Sequence, residues 1–384
     1  MLFAAAFLAL LGSCRRPPVS ALTAFFQVRH LLLPLALPLA ILGVLRGDAF
    51  LSLLAGIALA CFWVRFGGRF RWKRGLSPSK TPSQDEVNQP ADLRIATLNA
   101  GDHRSDPADI SSWASSCGAD VICLQEIHAG HVSVIERELA ALFPHRLLFG
   151  DGIGGIGVLS RRPILGHEHV SLRSRLPFLR VDLDVDRTPL RLIVAHPFAS
   201  LAILGSGSAP HEDMLDLARE AGAADLPCLL VGDLNTTDQS RAYDALEEAG
   251  LVDSWKEAGQ GWSATFPMGG RYLCLPVPPL VRIDFVWHSS ELETSSYTVG
   301  PDAGSDHLPV QAGLTWRKHL TLPKLDEEAA HSSLLLAPTS RPDTETTEEP
   351  IPLLPSAQES QESASEQEKR MDAGSGDSEG RRLA

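Results

Sequence analysis

Two short stretches hold the groups best suited to chemistry: Gly232-Asp233-Leu234-Asn235 and Gly304-Ser305-Asp306-His307-Leu308-Pro309. Oxygen ligands hold a hard divalent cation, and N–H donors meet phosphoryl oxygens, so carboxylate, amide and imidazole groups at this density suit a metal and a phosphate. Each stretch adjoins an apolar, strand-like run: Leu229-Leu230-Val231 before the first, Val310 onward after the second. Other runs share the feature. Leu98 is followed by Asn99, Leu124-Gln125 by Glu126, Ala195 by His196 and Ile283 by Asp284. A single such ending means little, since a lone Asn makes a turn and a lone Glu is solvated. Six together place polar side chains outside the ends of sheet strands, where open α/β folds build their sites. Two competing readings stand beside this one. Asp284 could pair with Arg282, and His196 could be a strand-end histidine satisfied by its surroundings.

The elements that must position these groups follow from period and punctuation. Leu93 to Leu98 alternates like a strand, and Val121 to Leu124 reads as a second. A helix capped near Ser105 or Asp106 runs to Gly118, and His131 to Leu142 has helical period. Gly157 to Ser160 begins another strand. Leu179–Val185 and Leu190–Ala195 are strands joined by Asp186-Arg187-Thr188-Pro189, a hairpin signal. A helix near Glu212 to Ala221 precedes the strand Leu229–Val231, and Arg241 to Ala249 is a further helix. Arg282–Trp287 and Leu308–Leu314 complete the set. Helices interleaved with hairpins imply an α/β fold with mixed rather than purely parallel sheets. Gly152 to Gly157 fits the spacing GxGxxG, but it leads into a strand, so the dinucleotide-binding context is missing. His103, His128 and His211 show no partner pattern and read as loop residues.

Taken as a set, Thr97-Leu98-Asn99, Leu124-Gln125-Glu126, Ala195-His196, Gly232-Asp233-Leu234-Asn235, Arg282-Ile283-Asp284-Phe285-Val286 and Ser305-Asp306-His307-Leu308-Pro309-Val310 resemble the endonuclease/exonuclease/phosphatase superfamily in order and spacing. That superfamily includes deoxyribonuclease I-like nucleases, abasic-site endonucleases, neutral sphingomyelinases and inositol-phosphate 5-phosphatases. The resemblance covers about residues 92–316. It implies a four-layer α/β sandwich with two central, mainly antiparallel sheets. It also implies roles. Glu126 would be the main ligand of Mg²⁺ or Mn²⁺, with Asn99 and Asp306 adjoining the metal. Asp233 would orient and deprotonate the attacking water, and Asn235 would donate to the phosphoryl oxygens. His307, held by Asp284, would donate to the phosphate, and His196 would be a second donor.

The six cysteines form no CxxC pair and no zinc-ligand spacing. Charge is uneven. Residues 1–80 carry ten Lys and Arg against the single acid Asp48, whereas residues 319–384 carry six against fourteen acids. The chain as a whole is at −13, so the central domain is acidic and gives no electrostatic help to binding long duplex DNA. Residues 31–45 and 50–64 are nearly all apolar, and residues 1–14 nearly so. Such all-round apolar runs predict N-terminal transmembrane helices within residues 1–74, with residues 1–14 either a third helix or a signal core. Residues 75–91 read as a linker. Residues 317–384 read as a disordered acidic tail, because this composition cannot bury enough surface to fold.

The expected function is divalent-metal-dependent hydrolysis of a phosphoester by an activated water, on a lipid-linked phosphate or pyrophosphate at a membrane. The chain resembles the membrane-anchored bacterial branch of the superfamily, which places it at the bacterial inner membrane. Arg65, Arg69, Arg71, Lys73 and Arg74 favour a cytoplasmic catalytic domain; the analogy favours an extracytoplasmic one. The alternatives are a membrane-tethered nuclease acting on short strands and a binding protein on a decayed hydrolase domain.

Overall fold

The structure is a computed structural model and describes residues 1–13, 32–66, 91–198, 209–261, 263–269 and 277–317. The linker and tail expectations fall outside these residues, apart from Ala91 and Arg317.

Two six-stranded sheets form the main body. The first runs β11-β12-β1-β2-β4-β3 and the second β5-β6-β7-β8-β10-β9. The first contains β1 (Leu93–Asn99), β2 (Val121–Gln125), β3 (His145–Phe149), β4 (Ile156–Ser160), β11 (Leu292–Val299) and β12 (Val310–Trp316). The second contains β5 (Ile164–Ser171), β6 (Pro177–Val185), β7 (Thr188–Ala195), β8 (Cys228–Asp233), β9 (Val252–Asp253) and β10 (Asp284–His288). Each sheet is mixed, with one parallel pair near its centre, β1 with β2 and β7 with β8, and antiparallel pairing elsewhere.

Period-two alternation decides what each face buries. Leu93 and Ile95 of β1, Val121 and Cys123 of β2, Leu192 and Val194 of β7, and Leu229 and Val231 of β8 meet in one core between the sheets. The alternate residues face outward. Ala96, Leu98, Ile122 and Leu124 pack with Ile110 and Trp113 of helix α4 (Pro107–Ser116) and Ile135 of helix α5 (Ala129–Glu138). On the other side Ile193, Leu230, Phe285 and Trp287 pack with Met214 and Leu217 of α6 (Ala209–Gly222) and Tyr243 and Leu246 of α7 (Arg241–Glu248). The order is helices, sheet, sheet, helices. Strands buried on both faces read as continuous apolar runs, which is why the sequence shows them so plainly.

Strands β3, β5, β9 and β11 escaped the sequence reading, and all four are sheet edges. His167, Glu168 and His169 of β5, which alternate between its two faces, are all exposed. An edge strand lacks one lateral neighbour and carries more exposed polar residues, so its apolar pattern is weaker.

The N-terminal segment holds α1 (Leu2–Ser13), α2 (Ala36–Arg46) and α3 (Ala49–Phe66). Ala55 and Ala58 of α3 pack with Leu8 and Ala9 of α1 and Ala36 of α2. The transmembrane expectation for about 31–45, 50–64 and 1–14 is corrected here: among the described residues no helix is long and apolar enough to cross a membrane. Gly47, in the left-handed conformation, ends α2 after 11 residues, about 16 Å at 1.5 Å per residue, against a hydrocarbon core of about 30 Å.

Candidate active site

The site forms where the central strands of both sheets end. Parallel pairing aligns the ends of β1 and β2, so Asn99 lies opposite Gln125, and Glu126 follows. The end of β8 comes from the second sheet, with Asp233. Two further groups arrive from strand starts rather than strand ends, which corrects the picture of six runs finishing on polar groups. Antiparallel pairing sets Asp284, the first residue of β10, opposite Asp233. It likewise sets Val310, the first residue of β12, opposite Thr97 of β1, which brings Asp306 and His307 beside Asn99.

The backbone departs from ordinary strand geometry where the polar groups begin. Glu126 (φ 52°) and Asn235 (φ 47°) are left-handed, a conformation that costs a branched-free side chain about 1–3 kcal/mol and persists only where contacts over-determine it. The Glu126 carbonyl accepts from Asp102 N at 2.9 Å, and Asn235 N donates to its neighbour Asp233 Oδ1 at 2.9 Å. Gly232 (φ 140°) lies against β7: a Cβ there would stand 2.1 Å from the Ala195 carbonyl oxygen.

All eight expected site residues come together, Asn235 through its backbone N–H on Asp233 while its side chain turns to Pro197. Asn99 Oδ1 accepts from Gly101 N at 2.8 Å, which fixes the amide so that Nδ2 donates to Glu126 Oε1 and to Asp233 Oδ2, both at 3.0 Å. Asn99 therefore ties the two carboxylates together. His196 Nε2 lies 3.5 Å from Glu126 Oε1 and 3.6 Å from Asp233 Oδ2. Its Nδ1 is 3.2 Å from the Ile153 carbonyl, which can only accept, so Nδ1 carries a proton. Asn235 Nδ2 donates to the Pro197 carbonyl at 3.0 Å.

A chain of three groups runs through the centre. His307 Nδ1 is 3.0 Å from Asp284 Oδ2, and its Nε2 is 3.7 Å from Asp233 Oδ2. Burial would lower the imidazole pKa, but Asp284 and Asp233 outweigh it and push His307 up to about 10. Burial pushes Asp233 up to about 6, with His307 and His196 pulling against it. The competing reading of Asp284 fails, because Arg282 is taken by Asp253: Nη1 donates to Oδ1 at 2.9 Å and Nη2 to Oδ2 at 2.7 Å. Arg282 also lies over the Trp255 and Phe285 rings, which anchors the strand two residues before Asp284.

Among the described residues, Asp233, Asp284 and His307 offer ligand atoms within 4.8 Å of one another. An imidazolium between two carboxylates is a proton donor, not a ligand, so this trio reads as an ion-paired chain, hydrogen-bonded between His307 and Asp284 and in charge contact with Asp233. The better oxygen set is Glu126 with Asp306. Asp306 is fully buried, and its Oδ2 makes no hydrogen bond but lies 2.9 Å from the Arg104 guanidinium, so this oxygen already stands opposite a cation.

Sequence reasoning missed two features. Arg104 reaches both Glu126 and Asp306, yet a single loop Arg five residues after Asn99 carries no signal. His128, read as partnerless, caps α5 by accepting from Gly130 N at 2.9 Å and stacks on His103 at 4.5 Å between ring centres. His131 is buried beneath it, 3.0 Å from Ser105 Oγ, and burial together with its histidine neighbours lowers it to about 4.

Two mixed sheets packed face to face between helices, with acids, amides and histidines at the ends of the central strands, define a class of α/β phosphoester-processing folds. Residues 96–307 match the Endonuclease/Exonuclease/phosphatase family, and the chain belongs to that family, whose members are phosphoester hydrolases. No curated protein matches the chain. Among solved structures it is similar to an endonuclease/exonuclease/phosphatase from Beutenbergia cavernae, with 22% identity over 58% of this chain and 71% of that one (TM-score 0.46). It is similar to a functionally unknown conserved protein from Enterococcus faecalis, with 20% identity over 59% and 100% (TM-score 0.48). Sphingomyelinase C from Streptomyces griseocarneus gives 22% identity over 59% and 99% (TM-score 0.45).

Proposed function

We propose that this chain is a divalent-metal-dependent phosphoester hydrolase that acts by in-line attack of an activated water. Glu126 and Asp306 would hold Mg²⁺ or Mn²⁺, with Asn99 beside them; oxygen-rich sites accept either ion. The bound ion would polarise a phosphoryl oxygen and neutralise charge as it develops. Asp233 has the character of a base: burial raises it toward neutrality, and Asn99 holds one of its oxygens in place. His307 is the proton-bearing donor to the phosphoryl group, oriented at Nδ1 by Asp284. His196, with Nδ1 committed to the Ile153 carbonyl, turns Nε2 toward the same space. Asn235 completes the donor set. The observation that carries this reading is the Asp284–His307–Asp233 chain at the point where both sheets end.

The proposed substrate is a phosphate or pyrophosphate carried by a membrane lipid, at the bacterial inner membrane. What supports this is the N-terminal segment, where Phe3, Leu45 and Val64 are 93%, 78% and 86% exposed, a surface suited to lipid rather than water. The test is phosphate release by the full chain, with Mg²⁺ or with EDTA, on a polyprenyl pyrophosphate, a phospholipid and a short oligonucleotide. Metal-dependent release from a lipid phosphate, abolished in His307→Ala, is the expected result. Cleavage of the oligonucleotide alone would replace this reading with a tethered nuclease. A folded protein silent on all three would make the chain a binding protein.

A further inference from the structure

Arg104 stands among the expected metal ligands. Its Nη2 donates to Glu126 Oε2 at 3.0 Å, and its Nε lies 2.9 Å from Asp306 Oδ2. The position is built by the turn after β1. Gly101 (φ 75°) and Asp102 (φ 49°) bend the chain, Arg104 N donates to the Gly101 carbonyl, and Asp102 N is tied to the Glu126 carbonyl. A Cβ on Gly101 would come within 2.6 Å of Asp306 Oδ1, so only glycine lets this turn approach the acids.

The two contacts differ in quality. The one to Glu126 is a well-formed charge-assisted hydrogen bond. The one to Asp306 is close, but Asp306 Oδ2 still lacks a hydrogen-bond partner, so the guanidinium neutralises this oxygen without satisfying it. Asp306 Oδ1 takes one long hydrogen bond, from Ser305 Oγ at 3.4 Å, and Oδ2 is held only by proximity of charge, so this carboxylate is open to a better cation. The Arg104 side chain is 40% exposed and its backbone is pinned, so the guanidinium can turn toward solvent without disturbing the core.

We propose that Arg104 is a resident counter-cation that competes with the divalent metal for Glu126 and Asp306 and thereby sets the metal concentration at which the site loads. This rests on the metal-dependent reading above. Without metal, the guanidinium compensates two largely buried carboxylates. On metal entry the side chain moves to the mouth of the site. Binding of the ion is weakened by whatever the Arg104 contacts contribute to the metal-free protein, since a ligand pays for every interaction that it displaces.

The experiment is titration of the full chain with Mn²⁺, followed by electron paramagnetic resonance, for the native protein, Arg104→Gln and Arg104→Lys, with thermal midpoints in EDTA. Arg104→Gln is expected to bind Mn²⁺ about tenfold more tightly and to melt lower in EDTA, with Mn²⁺ removing the difference. Unchanged or weaker Mn²⁺ binding in Arg104→Gln overturns the proposal. If Arg104→Gln does not fold without metal, Arg104→Lys decides. It keeps the charge but loses the planar fork, so it is expected to bind Mn²⁺ a few-fold more tightly, and an unchanged affinity overturns the proposal. Absence of Mn²⁺ binding in every form would overturn the metal reading itself.

Discussion

The α/β body and the N-terminal helices are both rich in apolar residues, and they use them in opposite ways. In the body, alternate residues of the central strands enter different cores, so Leu229 and Val231 face the other sheet while Leu230 faces α6 and α7. The apolar side chains of the central strands are buried, and acids, amides and histidines gather where those strands end or begin. In the N-terminal segment the small residues Ala36, Ala55 and Ala58 are covered by neighbouring helices, while Phe3, Val44, Leu45 and Val64 face outward. One region uses burial to aim polar groups; the other offers apolar surface and few polar groups to aim. The proposed chemistry and the proposed surface attachment therefore rest on different regions of the chain, and substitutions can test the separation.

The largest effect is expected at the centre of the site. His307→Ala removes the proton-bearing donor, and turnover on any accepted phosphoester should fall about a thousandfold, with the thermal midpoint little changed. Asp284→Asn keeps the volume but replaces the acceptor at His307 Nδ1, so turnover should fall by at least about a hundredfold. Steady-state kinetics on one substrate check both. A loss confined to KM would show that these groups bind substrate without serving the reaction.

The anchor behind the site is expected to matter for stability more than for chemistry. Arg282 is buried against Asp253, which also accepts from Tyr243 Oη at 2.6 Å and from Trp255 N at 3.0 Å. Arg282→Leu strands a buried carboxylate and should cost about 3–5 kcal/mol, read from urea unfolding. The pH dependence has a definite sign. Burial alone would raise Asp253, but Arg282 overcomes it and holds the carboxyl below its usual range. A depressed folded-state pKa gives stability that is complete above the unfolded value of about 3.9 and is lost as pH falls through the folded value. The gap between native protein and Asp253→Asn should thus be widest at neutral pH and close in acid. A gap independent of pH would mean that Asp253 acts by packing alone.

How much of this was legible beforehand depended on burial. The eight interior strands announce themselves by apolar runs or, as in β6 with Arg180, Asp182 and Asp184 on one face, by clean alternation. The four edge strands do not, because residues such as His167 and Glu168 of β5 or the serines of β11 look like loop. The acids and histidines at the site were legible because each follows or precedes an interior strand. That Asp284 belongs to His307 was legible only through the family resemblance; the residues alone left Arg282 as a rival, which Asp253, distant in sequence, removes by claiming the guanidinium. Arg104 was invisible for the same reason: its meaning comes from Glu126 and Asp306, which only the fold brings to it. In the N-terminal segment the apolar runs located the helices and the break at Gly47; what failed was the step from apolarity to a membrane span, since α2 begins only at Ala36 and no described helix is long and apolar enough to cross.

The smallest effect on chemistry is expected where exposure is greatest. Phe3→Ser, Leu45→Ser and Val64→Ser remove apolar side chains that pack on little, so each should change stability by less than about 0.5 kcal/mol. Turnover of a water-soluble phosphodiester should stay within about twofold, because surface substitutions of this kind leave the strand ends untouched. The same changes should weaken sedimentation with phospholipid vesicles, since each takes away about 2 kcal/mol of apolar transfer at a lipid surface. The pairing of results carries the meaning. Lost vesicle binding with intact turnover would show that the helices bring the site to its substrate without shaping it. Turnover falling in step with vesicle binding on a soluble substrate would break the separation, and would make the N-terminal segment part of the working site.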